Sequence, residues 1–265
     1  MVVIDSHTHI GLETFLAEPI PQEKRSRPAF QDRMENAFED LIARMDANGV
    51  QKAIAFGFPL KEIDRIQAND YVLAAQRAYP DRIIPFALVG DDVEDWLQQG
   101  ARGFKQQNIL YAPERFDLIR AYSIMAEAGV PMLIHFRAGE GFSVTEQAKA
   151  ILRQVPHLKL IVAHMGRNTP NTSDKVEAAL LGLRDESNVI FETSTVRDPA
   201  IIARAVELVG INRVVFGSDY PFNSYQDSNP LAEEIGVIQR ADLSAEARTR
   251  ILGFNIQQFL NGELL

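Results

Sequence analysis

Along the chain two kinds of apolar pattern alternate. Unbroken apolar runs of strand length, such as Ala53-Ile54-Ala55-Phe56, Met132-Leu133-Ile134 and Ile161-Val162-Ala163, are separated by longer stretches whose apolar residues return every three or four positions. The first kind is what a parallel strand buried on both faces looks like; the second marks a helix with one buried face. After an opening strand ending in Val2-Val3-Ile4-Asp5-Ser6-His7-Thr8-His9, strands are expected over Lys52–Phe58, Ile83–Val89, Ala101–Gln106, Pro131–Phe136, Leu158–Met165, Val189–Thr193 and Arg213–Ser218. Helices are expected over Gln31–Asn48, Leu60–Tyr79, Val93–Gln99, Glu114–Ala128, Ser143–Gln154, Ser173–Asp185, Pro199–Val209 and Leu231–Arg240. Gly49, Gly100, Gly129 and Gly210 fall where helices should stop, and Pro80 and Pro156 follow helices they cannot continue. A last helix, Ser244 to Leu260, is expected to lie on the outside, and Gly11 to Pro28 reads as a long loop of the kind that either covers a site or is disordered.

Eight such alternations in 265 residues predict an α/β fold of the (β/α)8 TIM-barrel type, one domain over residues 1–265 with a C-terminal extra helix. A doubly wound dinucleotide fold would need a Gly-rich turn after the first strand, where Asp5-Ser6-His7 stands instead. Composition narrows the picture further. A chain 46% apolar and 24% charged, without a long charge-free apolar run, describes a globular protein outside the membrane with no signal peptide. With no Cys there is no disulfide framework and no thiolate metal site; a cytoplasmic location fits. The net charge of −9 and the lack of a basic block argue against nucleic-acid partners. The expected partner is a small-molecule substrate, and a homodimer is compatible with a barrel.

In such barrels the chemistry sits at the C-terminal ends of the strands. His7 and His9 end the first strand, on one face and roughly 6.6 Å apart along it. Lys105 ends the fourth strand, His135 the fifth, His164 the sixth and Asp219 the eighth. One His after an apolar run is ordinarily a satisfied core residue; four of five at matching strand ends are not independent accidents. The fifth, His157, precedes a strand and is read as structural. Three imidazoles and a carboxylate suit zinc or a similar divalent ion with one position open, which lowers the pKa of water from ~16 to roughly 7. Asp219 is the candidate to touch the ion and move protons, and His164 the candidate to orient the attacking oxygen. Lys105 reads as a solvated lysine, as a partner for a substrate anion, or as a carboxylated bridge between two ions. Arg137, Arg167 and Arg197 follow strand ends; surface ion pairs are their default, yet three cations there in an acidic chain point to a carboxylate-bearing substrate.

Taken together, Asp5-Ser6-His7-Thr8-His9, Ile134-His135, Ile161-Val162-Ala163-His164-Met165-Gly166 and Phe216-Gly217-Ser218-Asp219-Tyr220-Pro221 resemble the amidohydrolase superfamily, in its amidohydrolase-related branch. Glu246 to Asn255 is similar to that branch's terminal helix. The resemblance implies a metal-dependent TIM barrel with His7, His9 and His135 as ligands, Asp219 as ligand and proton carrier, and His164 at the attacking water. Gln107 stands where many relatives carry a His on the fourth strand, which speaks against a second ion. The expected cofactor is one divalent ion, zinc first, with manganese and iron as alternatives. The expected reaction is hydrolysis of an amide, lactone or similar bond. The alternatives are non-oxidative decarboxylation of an aromatic or unsaturated acid on the same site and, from another class, a non-catalytic barrel used for binding or assembly.

Overall fold

The computed structural model describes residues 2–25, 35–107, 117–136, 143–167, 173–222 and 229–263, the first two residues of the last-but-one segment by backbone only. Eight parallel strands follow one another in sequence order: β1 (Ile4–His9), β2 (Lys52–Phe56), β3 (Ile83–Leu88), β4 (Gly103–Gln107), β5 (Met132–His135), β6 (Leu160–Val162), β7 (Val189–Glu192) and β8 (Val214–Val215). The ring closes through backbone bonds between the first and last segments, Ser6 N to Phe216 O (3.0 Å), Asp219 N to His7 O (2.9 Å) and His9 N to Tyr220 O (2.7 Å). After the short α1 (Gln22–Arg25), the connecting helices are α2 (Phe38–Ala47), α3 (Arg65–Ala78), α4 (Val93–Gln98), α5 (Leu118–Glu127), α6 (Val144–Gln154), α7 (Ser173–Leu183), α8 (Pro199–Val209) and α9 (Pro230–Arg240). The expected (β/α)8 barrel with an added C-terminal helix is the observed architecture.

Two apolar clusters follow from strand alternation. Ala53, Ala55, Phe104, Ile134, Val162 and Phe191 face the helices and join the outer core. Ile4, Ile54, Phe56, Phe86, Leu133, Ile161, Ile190 and Val215 fill the barrel interior, together with Ile256 and Phe259 of the last helix. The terminal helix therefore does not merely lean on the outside, as its amphipathic pattern suggests; it inserts two residues into the interior cluster. Its course is α10 (Ala245–Thr249), a π-helical turn (Arg250–Phe254) and α11 (Asn255–Asn261). Gly253 lies so close to the start of β1 that an added Cβ would collide with the Val2 carbonyl.

Element boundaries differ from the sequence expectation in instructive places. Helix α3 starts at Arg65 rather than Leu60 because Asp64 caps it, its carboxylate accepting from the Ile66 and Gln67 amides. The sixth strand stops at Val162, where the chain enters a tight turn with His164 and Met165 in left-handed conformation (φ 54° and 52°). Most of the expected helix Gln31–Asn48 is α2, and residues 26–34 lie outside those described. Among the described residues no helix is long and apolar enough to cross a membrane.

Candidate metal centre

The first strand carries a register shift between Asp5 and Thr8: Ile4 and Asp5 pair with Lys52 and Ala53, whereas Thr8 and His9 pair with Ala55 and Phe56. One extra residue in β1 resets the alternation of its side chains. Ile4 can thus belong to the interior cluster while His7 and His9 also point inward; Thr8 faces its neighbour, its hydroxyl donating to Ile54 O (2.8 Å). Asp5 ties this bulge to the last strand. Its Oδ1 accepts from the His7 amide and from the Ser218 amide, 3.0 Å each. Burial pushes the Asp5 carboxyl up to about 7, against the lowering effect of these bonds.

Across the interior, His7 Nδ1 lies 2.8 Å from Glu192 Oε2. The other nitrogen, Nε2, lies 3.2 Å from Asp219 Oδ1 and 3.0 Å from Lys105 Nζ. His9 Nε2 is also 3.2 Å from Asp219 Oδ1. Asp219 reaches this point from a left-handed residue (φ 60°) just past β8. His7, His9 and Asp219 thus offer three donor atoms within 4.8 Å of one another. A second group, His7, His164 and Glu192, shares His7, whose Nδ1 is already engaged by Glu192. The arrangement accommodates one divalent ion.

Protonation fits that use. Burial drives the pKa of His7 well below the ordinary value, with Lys105 adding to it; burial likewise lowers His9 and takes His164 down to about 3, so all three rings are neutral at neutral pH. For Asp219 burial acts in the raising direction, but His7, the His9 hydrogen bond and His164 outweigh it, and the carboxyl is held below the usual range. Neutral imidazoles and an ionised carboxylate are the protonation states a metal requires.

His164 is not among the donors that converge with Asp219, which are His7 and His9. Its ring stacks on His7 (centroids 5.0 Å apart) and its Nδ1 meets Ser194 O at 3.1 Å and Ser194 Oγ at 2.8 Å. His135 packs edge-on against that ring at 4.4 Å. The fourth expected ligand is therefore in the same histidine cluster, packed against His164. Lys105 is 1% exposed, and burial lowers its pKa to about 7 in spite of Asp219 and Glu192. Its ammonium also sits over the Phe56 ring at 4.7 Å.

Of the three arginines, Arg167 is half-buried, donates to Thr195 O (3.3 Å) and feels the charges of Asp219 and Glu192. Arg197 turns instead to α9, held by Glu233 (3.1 Å) and Glu234 (3.2 Å). Arg137 lies outside the described residues. His157 is exposed below β6. Around His9 stand three phenylalanines: Phe58 stacked at 5.5 Å and Phe56 and Phe222 edge-on at 4.7 and 4.8 Å. A cleft of about 840 Å³ on the outer wall, lined by Gln106, Tyr122 and Ile151 among others, holds none of the donors, so depth alone does not mark the chemistry.

Glu192 is the functional residue that sequence reasoning left undecided. The signal was present: it closes the apolar run Val189-Ile190-Phe191 at a strand's C-terminal end, as the histidines close theirs.

A family model described as amidohydrolase matches residues 4–262. The chain belongs to the amidohydrolase family. Membership and donor cluster together make it a metal-dependent enzyme of that superfamily. Its amidohydrolase barrel is similar to a probable 2-pyrone-4,6-dicarboxylic acid hydrolase from Acinetobacter baumannii, solved with citric acid bound (14% identity, TM-score 0.75, 98% of this chain and 100% of that one). It is similar also to 5-carboxyvanillate decarboxylase from Sphingomonas paucimobilis (16%, 0.70, 98% and 99%). A third similar structure is a dihydroxybenzoic acid decarboxylase from Polaromonas sp. JS666 with bound manganese (16%, 0.69, 98% and 97%). At these identities the likeness is one of fold. No match to the sequence was found among curated proteins.

Proposed function

We propose that this enzyme is a non-oxidative decarboxylase of a small aromatic or unsaturated carboxylic acid, dependent on one divalent ion. The observation that carries the reading is the pairing, at one point, of a buried ammonium with an aromatic wall: Lys105 Nζ beside His7, and Phe56, Phe58 and Phe222 around His9. A flat unsaturated acid meets both demands, its carboxylate toward Lys105 and Arg167 and its π-face toward the phenylalanines. Decarboxylases of hydroxylated benzoates among the similar structures support it, one of them with manganese bound, so manganese ranks beside zinc.

His7, His9 and Asp219, with His135 close by, would hold the ion; when bound it supplies a positive charge that anchors a substrate oxygen and stabilises electron density left as the carboxylate departs. Lys105 and Arg167 orient the carboxylate. The C–C bond breaks, CO₂ leaves, and the carbon takes a proton that water supplies and Asp219 relays. The phenylalanines exclude water from that carbon. Arg197, tied to α9, is a weaker candidate for substrate than Lys105 and Arg167.

Hydrolysis of a lactone or amide is the second reading. It is favoured by the position of His164, whose Nδ1 is committed to Ser194 and whose Nε2 is left to orient a water by accepting a hydrogen bond from it, and by the similar pyrone dicarboxylic acid hydrolase. One experiment separates the two. Manganese- and zinc-loaded protein is incubated with hydroxybenzoates and with pyrone dicarboxylates while CO₂ and product masses are followed. Loss of 44 mass units with CO₂ supports decarboxylation; gain of water without CO₂ replaces it with hydrolysis.

A further inference from the structure

Glu192 belongs to no step derived above, yet it is fully buried, with three donors and a histidine nitrogen against its carboxylate. Its Oε2 lies 2.8 Å from His7 Nδ1 and accepts from Ser194 Oγ (2.9 Å) and from the His164 backbone amide (3.1 Å). Its Oε1 accepts from the Ser194 amide. These bonds have directions that follow from the partners. With Glu192 ionised and three other donors already on it, the contact with His7 Nδ1 is one in which the imidazole donates, so His7 carries its proton on Nδ1 and turns the lone pair of Nε2 toward Lys105 Nζ. The Ser194 hydroxyl, donating to Glu192, turns its lone pairs to His164 Nδ1, which also meets the Ser194 carbonyl, an obligate acceptor. His164 therefore carries its proton on Nδ1 too. The His164 amide bond to Glu192 meanwhile holds the left-handed turn that presents the ring.

Room for this carboxylate is made by the neighbouring strand. At Gly217 an added Cβ would collide with Glu192 Oε1 and come within 2.9 Å of His7 Cβ.

We propose that Glu192 is the positioning residue of the centre: one carboxylate that sets the tautomer of His7 directly, and the ring and backbone of His164 through Ser194 and the turn, leaving Nε2 of both rings as the unprotonated nitrogen. Gly217 is the space that lets it do so. The inference rests on the metal-centre reading for its consequence, not for its geometry. Carboxylates behind metal-bound histidines commonly shift affinity 10- to 100-fold.

The test uses the full chain, stripped of metal by chelation. Long-range ¹H–¹⁵N spectra of its imidazoles report which nitrogen of each ring is protonated. Expected in the wild type is the Nδ1–H form for both His7 and His164; an Nε2–H form at His7 overturns the proposal whether or not any variant folds. In Glu192→Gln the amide must place its NH₂ against donors, so the His7 pattern should redistribute and the affinity for Mn²⁺ or Zn²⁺, measured by chelator competition, should fall about 10- to 100-fold, with partial recovery in Glu192→Asp. Gly217→Ala should shift the same His7 signals without deleting any polar group. Unchanged His7 signals and affinity in Glu192→Gln defeat the proposal while leaving the metal centre standing. A wild type with the expected His7 signals that takes up neither ion defeats the metal-centre reading while the positioning role survives.

Discussion

His7 points into the barrel because β1 holds one residue more than β2 across the same span. With Ile4 inward, strict alternation would send His7 outward; the bulge restores it. That His7 and His9 share a face was legible from their spacing alone, and so was the placing of His135, His164 and Asp219 at or just past strand ends, whereas Lys105, expected to end its strand, sits in the middle of β4. Which of them converge was not, because convergence depends on the bulge and on the left-handed residues His164 and Asp219, and nothing in a one-dimensional pattern marks φ. Two substitutions separate roles within the proposed centre. His7→Ala removes an obligatory donor, and elemental analysis should find the bound ion lost; retention of about one equivalent would sink the assignment. Lys105→Met keeps the buried stem but removes the ammonium, so metal content should stay while KM for the carboxylate substrate rises about tenfold or more. Equal KM in variant and wild type would leave Lys105 without a substrate role.

The helices were legible to within a few residues, since caps such as Ser143 before α6 and stops such as Gly129 after α5 carry their own chemistry. The short strands were less so. The expected strand Arg213–Ser218 is reduced to Val214–Val215 because Phe216 turns its amide to Ile251 O (2.9 Å) in the π-helical turn. Asn255 completes the hold, its Nδ2 donating to the carbonyls of Ile211 and Val214 at 2.8 Å each. The terminal helix thereby sets the register from which Asp219 emerges. Asn255→Ala should cost about 1–3 kcal/mol in denaturant unfolding, by stranding two carbonyls. In α9, Glu234 is 1% exposed and burial lifts its pKa from 4.5 to about 8, with Arg197 pulling the other way. A carboxyl that binds its proton more tightly folded than unfolded stabilises most below about pH 4 and loses that contribution as pH climbs through 8. Glu234→Gln should therefore show a smaller fall in Tm between pH 5 and pH 9 than the wild type; an identical fall would refute the shift.

The barrel as a whole was legible because most of its buried strands leave an unbroken apolar run, whereas the plug at its base was not: Ile256 and Phe259 lie on an amphipathic stripe indistinguishable from one that packs on an outer wall. Removing the plug should be costly. Phe259→Ala should destabilise by about 3–5 kcal/mol, read from the urea midpoint at constant m-value, and a cost under about 1 kcal/mol would place Phe259 outside the interior.

Asp5, His7 and His9 belong to the first strand and Ser218 and Asp219 to the segment after the last, so the centre straddles the line along which the ring is sewn shut. A chain emerging from the ribosome holds half of it from the outset and cannot complete it until more than two hundred residues later. Capacity for the ion thus arrives with closure itself, and a half-made barrel has little means of capturing metal before the fold that controls it is finished.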